Sequence, residues 1–424
     1  MTARLFPGPA LNRIVIIGAG PAGMRCAERL AGRGLAVTLI GAEPELPYDR
    51  VALSKYLAGE VAAPDLITHD HASLAEAGIT YLPGTRVIGI DREARRVLTD
   101  RHGPIGYGHL VLALGSVPVR LPLPGADLPG VVMYRTLDDV NAMLTAAKNE
   151  GGETHGGEPR QAIVIGGGLL GLEAAYGLAK RGMKVSVLHA VDRLMERQLD
   201  HAAAALLMRR LGEYRIDTHL TAKTEAIEGD GQVTSVRLAD GTVIPASLVV
   251  MAVGIRPQAA LAREAGLAVN RGIVVDDAMR TSDPAISAIG ECAEHQGACC
   301  GLVAPALAQA ETCARIISGA TIIYVAEADA TALKVAGAGV WSAGLIDAPG
   351  AEEIVLSDAE AGEYRKLLLR DDRLVGAMLY GATADAPWYQ SLIATGAPIN
   401  GLRAALAFGP AFAPPALAPT KALP

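Results

Sequence analysis

The sequence has no cysteine framework, no dense basic block and no long apolar run, and each absence removes a class of function. Its five cysteines, Cys26, Cys292, Cys299, Cys300 and Cys313, are odd in number and include an adjacent pair. They do not read as the even, spaced set of a disulfide-stapled secreted domain, and they suit a reducing cytoplasm. Formal charge is −7 over 424 residues with no concentrated Lys/Arg stretch, which argues against nucleic acid or an anionic membrane as partner. Apolar runs are broken by charges, Pro or polar side chains well short of the roughly 18 to 20 residues a membrane helix needs. Near the N terminus Arg4 is followed by Pro7, Gly8 and Pro9 instead of an apolar core, so no secretory signal is expected. Residues 408–424, uncharged apart from Lys421 and rich in Ala and Pro, read as an extended end and not as an anchor.

What is present is glycine in pattern. The chain is 50% hydrophobic and long enough for two or three domains with real cores. Gly18-Ala19-Gly20-Pro21-Ala22-Gly23 follows the run Ile14-Val15-Ile16-Ile17, and Gly166-Gly167-Gly168-Leu169-Leu170-Gly171 follows Ile163-Val164-Ile165. Each opens onto an Ala- and Leu-rich stretch, so both sit where a buried strand turns sharply into a helix. In that context the first glycine permits the turn, the second lets a pyrophosphate approach bare backbone, and the third lets helix pack on strand. One copy in a chain with 48 glycines is weak; two copies, each strand-then-helix, predict two dinucleotide sites.

The first unit continues through a second strand, residues 36–40, to Glu43, about 20 residues beyond Gly23, where a carboxylate can accept hydrogen bonds from a ribose. At the matching distance beyond Gly171 stands His189 instead of an acid, with Arg193 close by. Two apolar strands end in similar small-residue turns, at Gly115 and at Gly254, each after a turn-rich meander (residues 87–107 and 233–244). Such twin endings predict two similar nucleotide modules, the second inserted in the first. The expected fold class is therefore α/β, with two Rossmann-like domains and a small α+β C-terminal domain. The expected boundaries are 1–120 with 250–320, then 121–249, then 321–424. The short alternating runs 364–369 and 374–380, joined by Asp371-Asp372, place an antiparallel sheet in the last of these. The Gly- and His-containing stretch 151–159 reads as a loop, not a metal site, and no metal is expected.

On these motifs the sequence resembles the pyridine-nucleotide-dependent flavoprotein reductases, in which the first module holds FAD and the inserted one NAD(P)H. Tyr48-Asp49-Arg50-Val51-Ala52-Leu53-Ser54-Lys55 looks like the flavin-side loop of ferredoxin and rubredoxin reductases. The resemblance implies that Lys55 pairs with Glu173, just after the second fingerprint, beside the flavin. It further implies FAD contacts from Arg50, Val87, Gly115, Arg135, Gly290 and Glu291, with Glu291 standing where the family usually has a shorter aspartate. For NAD(P)H it implies Gly166, Gly168, Leu170, Gly171, Glu173, His189 and Gly254. Leu194-Met195-Glu196-Arg197-Gln198-Leu199-Asp200, Gly290-Glu291-Cys292-Ala293-Glu294-His295 and Gly301-Leu302-Val303-Ala304-Pro305 look most like the flavin/nicotinamide part of the NAD(P)H-dependent nitrite reductase large subunit. From that resemblance NADH is favoured over NADPH.

The departures narrow the expectation. No cysteine follows Cys313, so this sequence cannot build the cysteine-ligated cluster that accompanies sirohaem. The expected role is the electron-input half, passing electrons from NAD(P)H through FAD to a separate nitrite reductase component, ferredoxin or rubredoxin. In the resembled family the C-terminal domain often forms a homodimer interface. Between Gly23 and Lys55 there is only Cys26, which disfavours dithiol chemistry. Cys299-Cys300 read as packing residues, and His69 and His71 around Asp70 as a helix start. Two alternatives stay open at this point: an NADH oxidase or peroxidase, which would want a reactive cysteine near the flavin, and a non-catalytic flavoprotein that senses nicotinamide.

Overall fold

The computed structural model describes residues 13–148, 160–326 and 330–413. Residues 1–12, the 151–159 stretch read above as a loop, and most of the Ala/Pro-rich end lie outside them. The described chain divides into two compact units. The first comprises residues up to Tyr56, Val61–Pro118 and Ile255–Ala326; the second comprises Leu57–Glu60, Val119–Gly254 and Glu327 onward.

In the first unit a five-stranded parallel sheet runs in the order Ile286–Ala288, His109–Leu112, Arg13–Ile17, Ala36–Ile40, Ile79–Leu82. Its central strand is buried along its whole length, as expected for a parallel strand covered on both faces. The edge strand Ile286–Ala288 comes from beyond residue 254, so the first module is completed only after the second has been made. The segments that leave and re-enter this unit, Ser116–Pro118 and Ile255–Pro257, pair antiparallel with each other. Helices Pro21–Ala31 and Val303–Ile317 pack together on the sheet, with Arg29 and Glu311 ion-paired across them at 2.6 Å.

The second unit repeats the plan. Its parallel sheet has the order Ile216–His219, Lys184–Leu188, Gln161–Ile165, Leu248–Met251, Val131–Met133. In both units the fingerprint strand is central and a three-stranded antiparallel meander precedes the strand that joins it on the side opposite the second strand: Val87–Asp91, Arg96–Thr99 and Gly103–Gly106 in one, Thr224–Glu228, Ser235–Leu238 and Val243–Pro245 in the other. The inserted-module expectation is met by this strand order.

A five-stranded antiparallel sheet follows, ordered Ala330–Val335, Ala338–Gly344, Arg373–Gly381, Glu363–Arg370, Glu352–Asp358, with helix Ala386–Thr395 against it. Asp371 and Asp372 both take positive φ, 50° and 55°, the two-residue hairpin geometry whose twist matches the flanking strands. Among the described residues no helix is long and apolar enough to cross a membrane.

Candidate dinucleotide sites

The first fingerprint lies between strand Arg13–Ile17 and helix Pro21–Ala31. Gly18 has φ +110°, and a Cβ there would overlap the carbonyl oxygen of Ala113; a Cβ on Gly23 would overlap that of Gly18. These two glycines are fixed by backbone packing. Gly20 is different: its missing Cβ faces space whose nearest atom is Arg50 Nε at 3.9 Å. Gly20 also caps the helix with no side chain on its first N–H groups, which leaves donors and an electropositive helix end directed at that opening. A cradle that one side chain would fill, lined by amide donors with a guanidinium at its rim, fits a pyrophosphate.

Glu43 sits in the loop after strand Ala36–Ile40. Its carboxylate accepts from Tyr48 Oη at 2.6 Å and is ion-paired with Arg50, whose guanidinium also stacks over the Tyr48 ring at 4.9 Å. Burial works against the Arg50 charge, but Tyr48 and Glu43 offset it and hold the guanidinium pKa above its ordinary value. The expected ribose acid and a phosphate-side cation are thus neighbours. After the edge strand Ile286–Ala288, Gly290, φ +76°, donates its N–H to the buried Gln309 Oε1 at 2.8 Å. Glu291 next to it accepts from Ser116 Oγ at 2.7 Å, so the longer side chain is held by a hydroxyl from the strand that follows Gly115. Val87 opens the first meander and packs against the first core.

The second fingerprint repeats the first. A Cβ on Gly166, φ +120°, would overlap the Ala252 carbonyl, one on Gly171 would overlap the Gly166 carbonyl, and Gly168 has nothing within 4 Å. Leu170 lies in the first turn of helix Leu169–Lys180, which Gly168 caps without a side-chain bond. Gly254, φ +120°, is also open. His189 is 9% exposed, and its Nδ1 accepts the Gly167 N–H at 3.1 Å. A ring nitrogen that accepts cannot carry the proton, so the N–H lies on Nε2, which meets Glu196 Oε2 at 3.2 Å. Arg193 turns inward: its Nε donates to the Leu199 carbonyl at 3.0 Å and a terminal nitrogen to that of Glu196 at 3.2 Å.

Lys55, in the first unit, is exposed on helix Leu53–Ala58. Glu173, half-buried on helix Leu169–Lys180, belongs to the second, and burial pushes its carboxyl up to about 7. Arg135 also belongs to the second unit; its N–H and that of Thr136 both donate to Asp139 Oδ2 at 2.8 Å, starting helix Leu137–Lys148. Asp70 caps helix His71–Glu76 through the Ser73 N–H at 2.7 Å, as its sequence context predicts. Cys26, Cys292 and Cys313 are buried, Cys299 and Cys300 half-buried. The Cys26 thiol is raised well above its usual value by its hydrogen bond with Cys313 and by burial; burial pushes Cys292 to about 11 and Cys300 to about 12. Thiols held protonated are poor nucleophiles. No group of three metal-ligating side chains occurs among the described residues.

Sequence reasoning did not single out Tyr48, Ser116, Gln309 or Glu196. Gln309 left a signal as a polar side chain inside an apolar helix run, and Tyr48 and Glu196 lie inside segments that carry the resemblance; Ser116 acts across a long sequence separation.

The family model described as pyridine nucleotide-disulphide oxidoreductase matches residues 12–315, and the rubredoxin NAD+ reductase C-terminal domain matches 330–397. Nitrite reductase [NAD(P)H] of Bacillus subtilis (strain 168) is 43% identical over 396 residues, covering 92% of this chain and 48% of that protein. The assimilatory nitrate reductase electron transfer subunit of the same organism is 41% identical, over 88% of this chain and 48% of its own length. The chain therefore spans about half the length of these curated relatives. The solved structure of putidaredoxin reductase in its covalent complex with putidaredoxin superposes with a TM-score of 0.82 at 28% identity, covering 91% of this chain and 94% of that one. By these matches, and by the paired cradles that precede them, the chain belongs to the pyridine nucleotide-disulphide oxidoreductase family of FAD- and NAD(P)H-dependent reductases.

Proposed function

We propose that the chain is an FAD-dependent NAD(P)H oxidoreductase that feeds electrons to a separate acceptor, a nitrite reductase component or an iron–sulfur carrier such as ferredoxin or rubredoxin, in the cytoplasm. Residues 1–120 and 250–320 hold FAD, 121–249 hold NAD(P)H, and 321–424 form the C-terminal domain. The observation that carries this reading is the duplication of one cradle: in both fingerprints the outer glycines are locked by backbone while the middle one, Gly20 or Gly168, opens onto free space.

Bound NAD(P)H supplies a hydride and FAD accepts it as a pair and releases electrons singly. The protein's part is to hold and tune. Glu43 takes the ribose of the first nucleotide and Arg50 its pyrophosphate, while Arg135 and Val87 face the adenosine and phosphate portion. Glu291, positioned by Ser116, accepts from the ribityl hydroxyls. Lys55 and Glu173 are the two residues assigned to the chemistry, Lys55 as a cation toward the flavin and Glu173 as a carboxyl that burial raises to about 7.

Thiols raised by burial support electron transfer over the cysteine-dependent peroxidase chemistry. The deciding experiment reduces the purified protein anaerobically with NADH and NADPH separately, then offers ferredoxin, rubredoxin and a sirohaem nitrite reductase component. Bleaching of the flavin followed by reoxidation with one protein acceptor is expected. A protein that is colourless and takes up no FAD, or a bound flavin that neither nucleotide reduces, overturns the proposal. Sizing the same sample tests self-association as a homodimer.

A further inference from the structure

We infer that Glu196, held in place by His189, is the carboxylate that reads the adenosine ribose of the nicotinamide nucleotide and sets the preference for NADH. This rests on the proposal that NAD(P)H docks at the second fingerprint, and it names the group that selects between its two forms.

In a dinucleotide fold the residue at the end of the second strand lies beside the ribose 2′-oxygen. A carboxylate there accepts from a free hydroxyl and repels a phosphate. Strand Lys184–Leu188 ends at this point, and the next residue is His189, which supplies no acid. The ring is not free to act by itself: it is buried, and one nitrogen is committed to the Gly167 N–H. The other nitrogen points its proton at Glu196 Oε2. The backbone does the same work, because the Met195 N–H donates to the Gly167 carbonyl at 3.0 Å. Glu196 is therefore tied to the fingerprint loop twice, through its side chain to His189 and through its neighbour to Gly167. With 38% of its side chain exposed, the carboxylate keeps an accepting oxygen for a ligand.

Charge on the surrounding loop points the same way. Arg193, the guanidinium that could have met a 2′-phosphate, is spent on the Leu199 and Glu196 carbonyls and lies within 3.7 Å of Asp192 and 3.6 Å of Asp347. A 2′-phosphate placed beside Glu196 would meet a carboxylate, with the Arg193 guanidinium turned away. His189 is a positioning residue in this scheme: it carries the acid's function to a side chain seven positions further on, which explains why no acid occupies the expected place.

The test is equilibrium binding of NAD+ and NADP+ to the FAD-loaded protein by calorimetry, which needs no turnover. The native protein should bind NAD+ at least about tenfold tighter than NADP+. Glu196→Gln should cut that ratio about tenfold, the effect of one charge-assisted hydrogen bond, and Glu196→Lys should favour NADP+. His189→Leu, which frees the carboxylate without removing it, should lower the ratio in the same direction. Thermal unfolding of each variant separates these shifts from loss of fold. A native preference for NADP+, or a folded Glu196→Gln with an unchanged ratio, overturns the inference while leaving the docking site intact. Native protein that binds neither nucleotide overturns the docking reading and this inference together.

Discussion

Gly23 packs so closely on the carbonyl of Gly18 that a single added methyl group would overlap it, and Gly171 stands to Gly166 in the same relation. The third glycine of each fingerprint is thus a packing requirement of the fold, while the second, Gly20 or Gly168, borders open space. These two kinds of glycine separate on mutation. Gly23→Ala and Gly171→Ala must shift backbone and should each cost about 1–3 kcal/mol or more, lowering the unfolding midpoint by several degrees. Gly20→Ala and Gly168→Ala should leave the midpoint nearly unchanged but weaken FAD or NAD(P)H binding respectively. Differential scanning calorimetry of the apoprotein beside nucleotide titrations checks both halves. Equal destabilisation by all four would remove the distinction.

Glu173 makes a prediction about pH. Burial raises its folded pKa to about 7 from 4.5, so the unfolded chain ionises first as pH rises. Below the unfolded value both states are protonated and the burial carries no penalty. Between there and about 7 the native state loses relative stability, and above that the loss is complete. Glu173→Gln never ionises, so in the apoprotein it should raise stability by about 1–3 kcal/mol near pH 8 and by nothing near pH 4. Urea unfolding at the two pH values measures the difference; a gain confined to acid pH would contradict it.

Asp200 joins two elements of the second unit. One oxygen caps helix His201–Glu213 through the Ala203 N–H at 3.0 Å, and the other accepts from Tyr364 Oη at 2.6 Å, with the buried Lys366 ammonium at 3.7 Å. Asp200→Ala removes the cap and takes one anion from the buried Lys366 ammonium, which keeps Glu353 at 2.9 Å and the field of Asp347. The expected cost is about 2–4 kcal/mol. Tyr364→Phe, which keeps cap and charge pair, should cost about 1 kcal/mol. Denaturant unfolding of both ranks them, and the reverse order would show that the cap contributes little.

Thiol chemistry is the fourth expectation. With Cys26, Cys292, Cys299 and Cys300 all raised above the ordinary thiol value, Ellman's reagent near pH 7.5 should label the native protein slowly and the denatured protein fully. Cys299→Ser with Cys300→Ser should leave NADH-driven dye reduction within about twofold of native. A rapidly labelled thiol whose loss abolishes turnover would restore the peroxidase reading.

Much of the site was legible because its signals are local. A β-branched run, a turn that needs glycine and a helix-forming stretch are neighbours in sequence, so strand, loop and helix could be placed from residues 14–31 and 163–180 alone. His189 was found by its distance from Gly171, but its use was not: Gly167 meets it because strand Lys184–Leu188 pairs beside Gln161–Ile165, and Glu196 meets it through the fold of the loop that follows. Ser116 and Glu291 are separated by the whole inserted module, and no periodicity links them.

By itself the sequence determined two nested nucleotide modules, the fixed and the open glycines within them, and the want of a spaced cysteine pair, since each follows from backbone sterics and composition over short stretches. Only the tertiary structure decided how the side chains around those cradles are held: that Tyr48 and Arg50 hold Glu43, that Arg193 faces inward, and that His189 is bonded to Glu196. The reason is physical. Hydrogen bonds between distant loops depend on the register in which parallel strands align, and that register is set by packing of the whole sheet, not by any one segment of the chain.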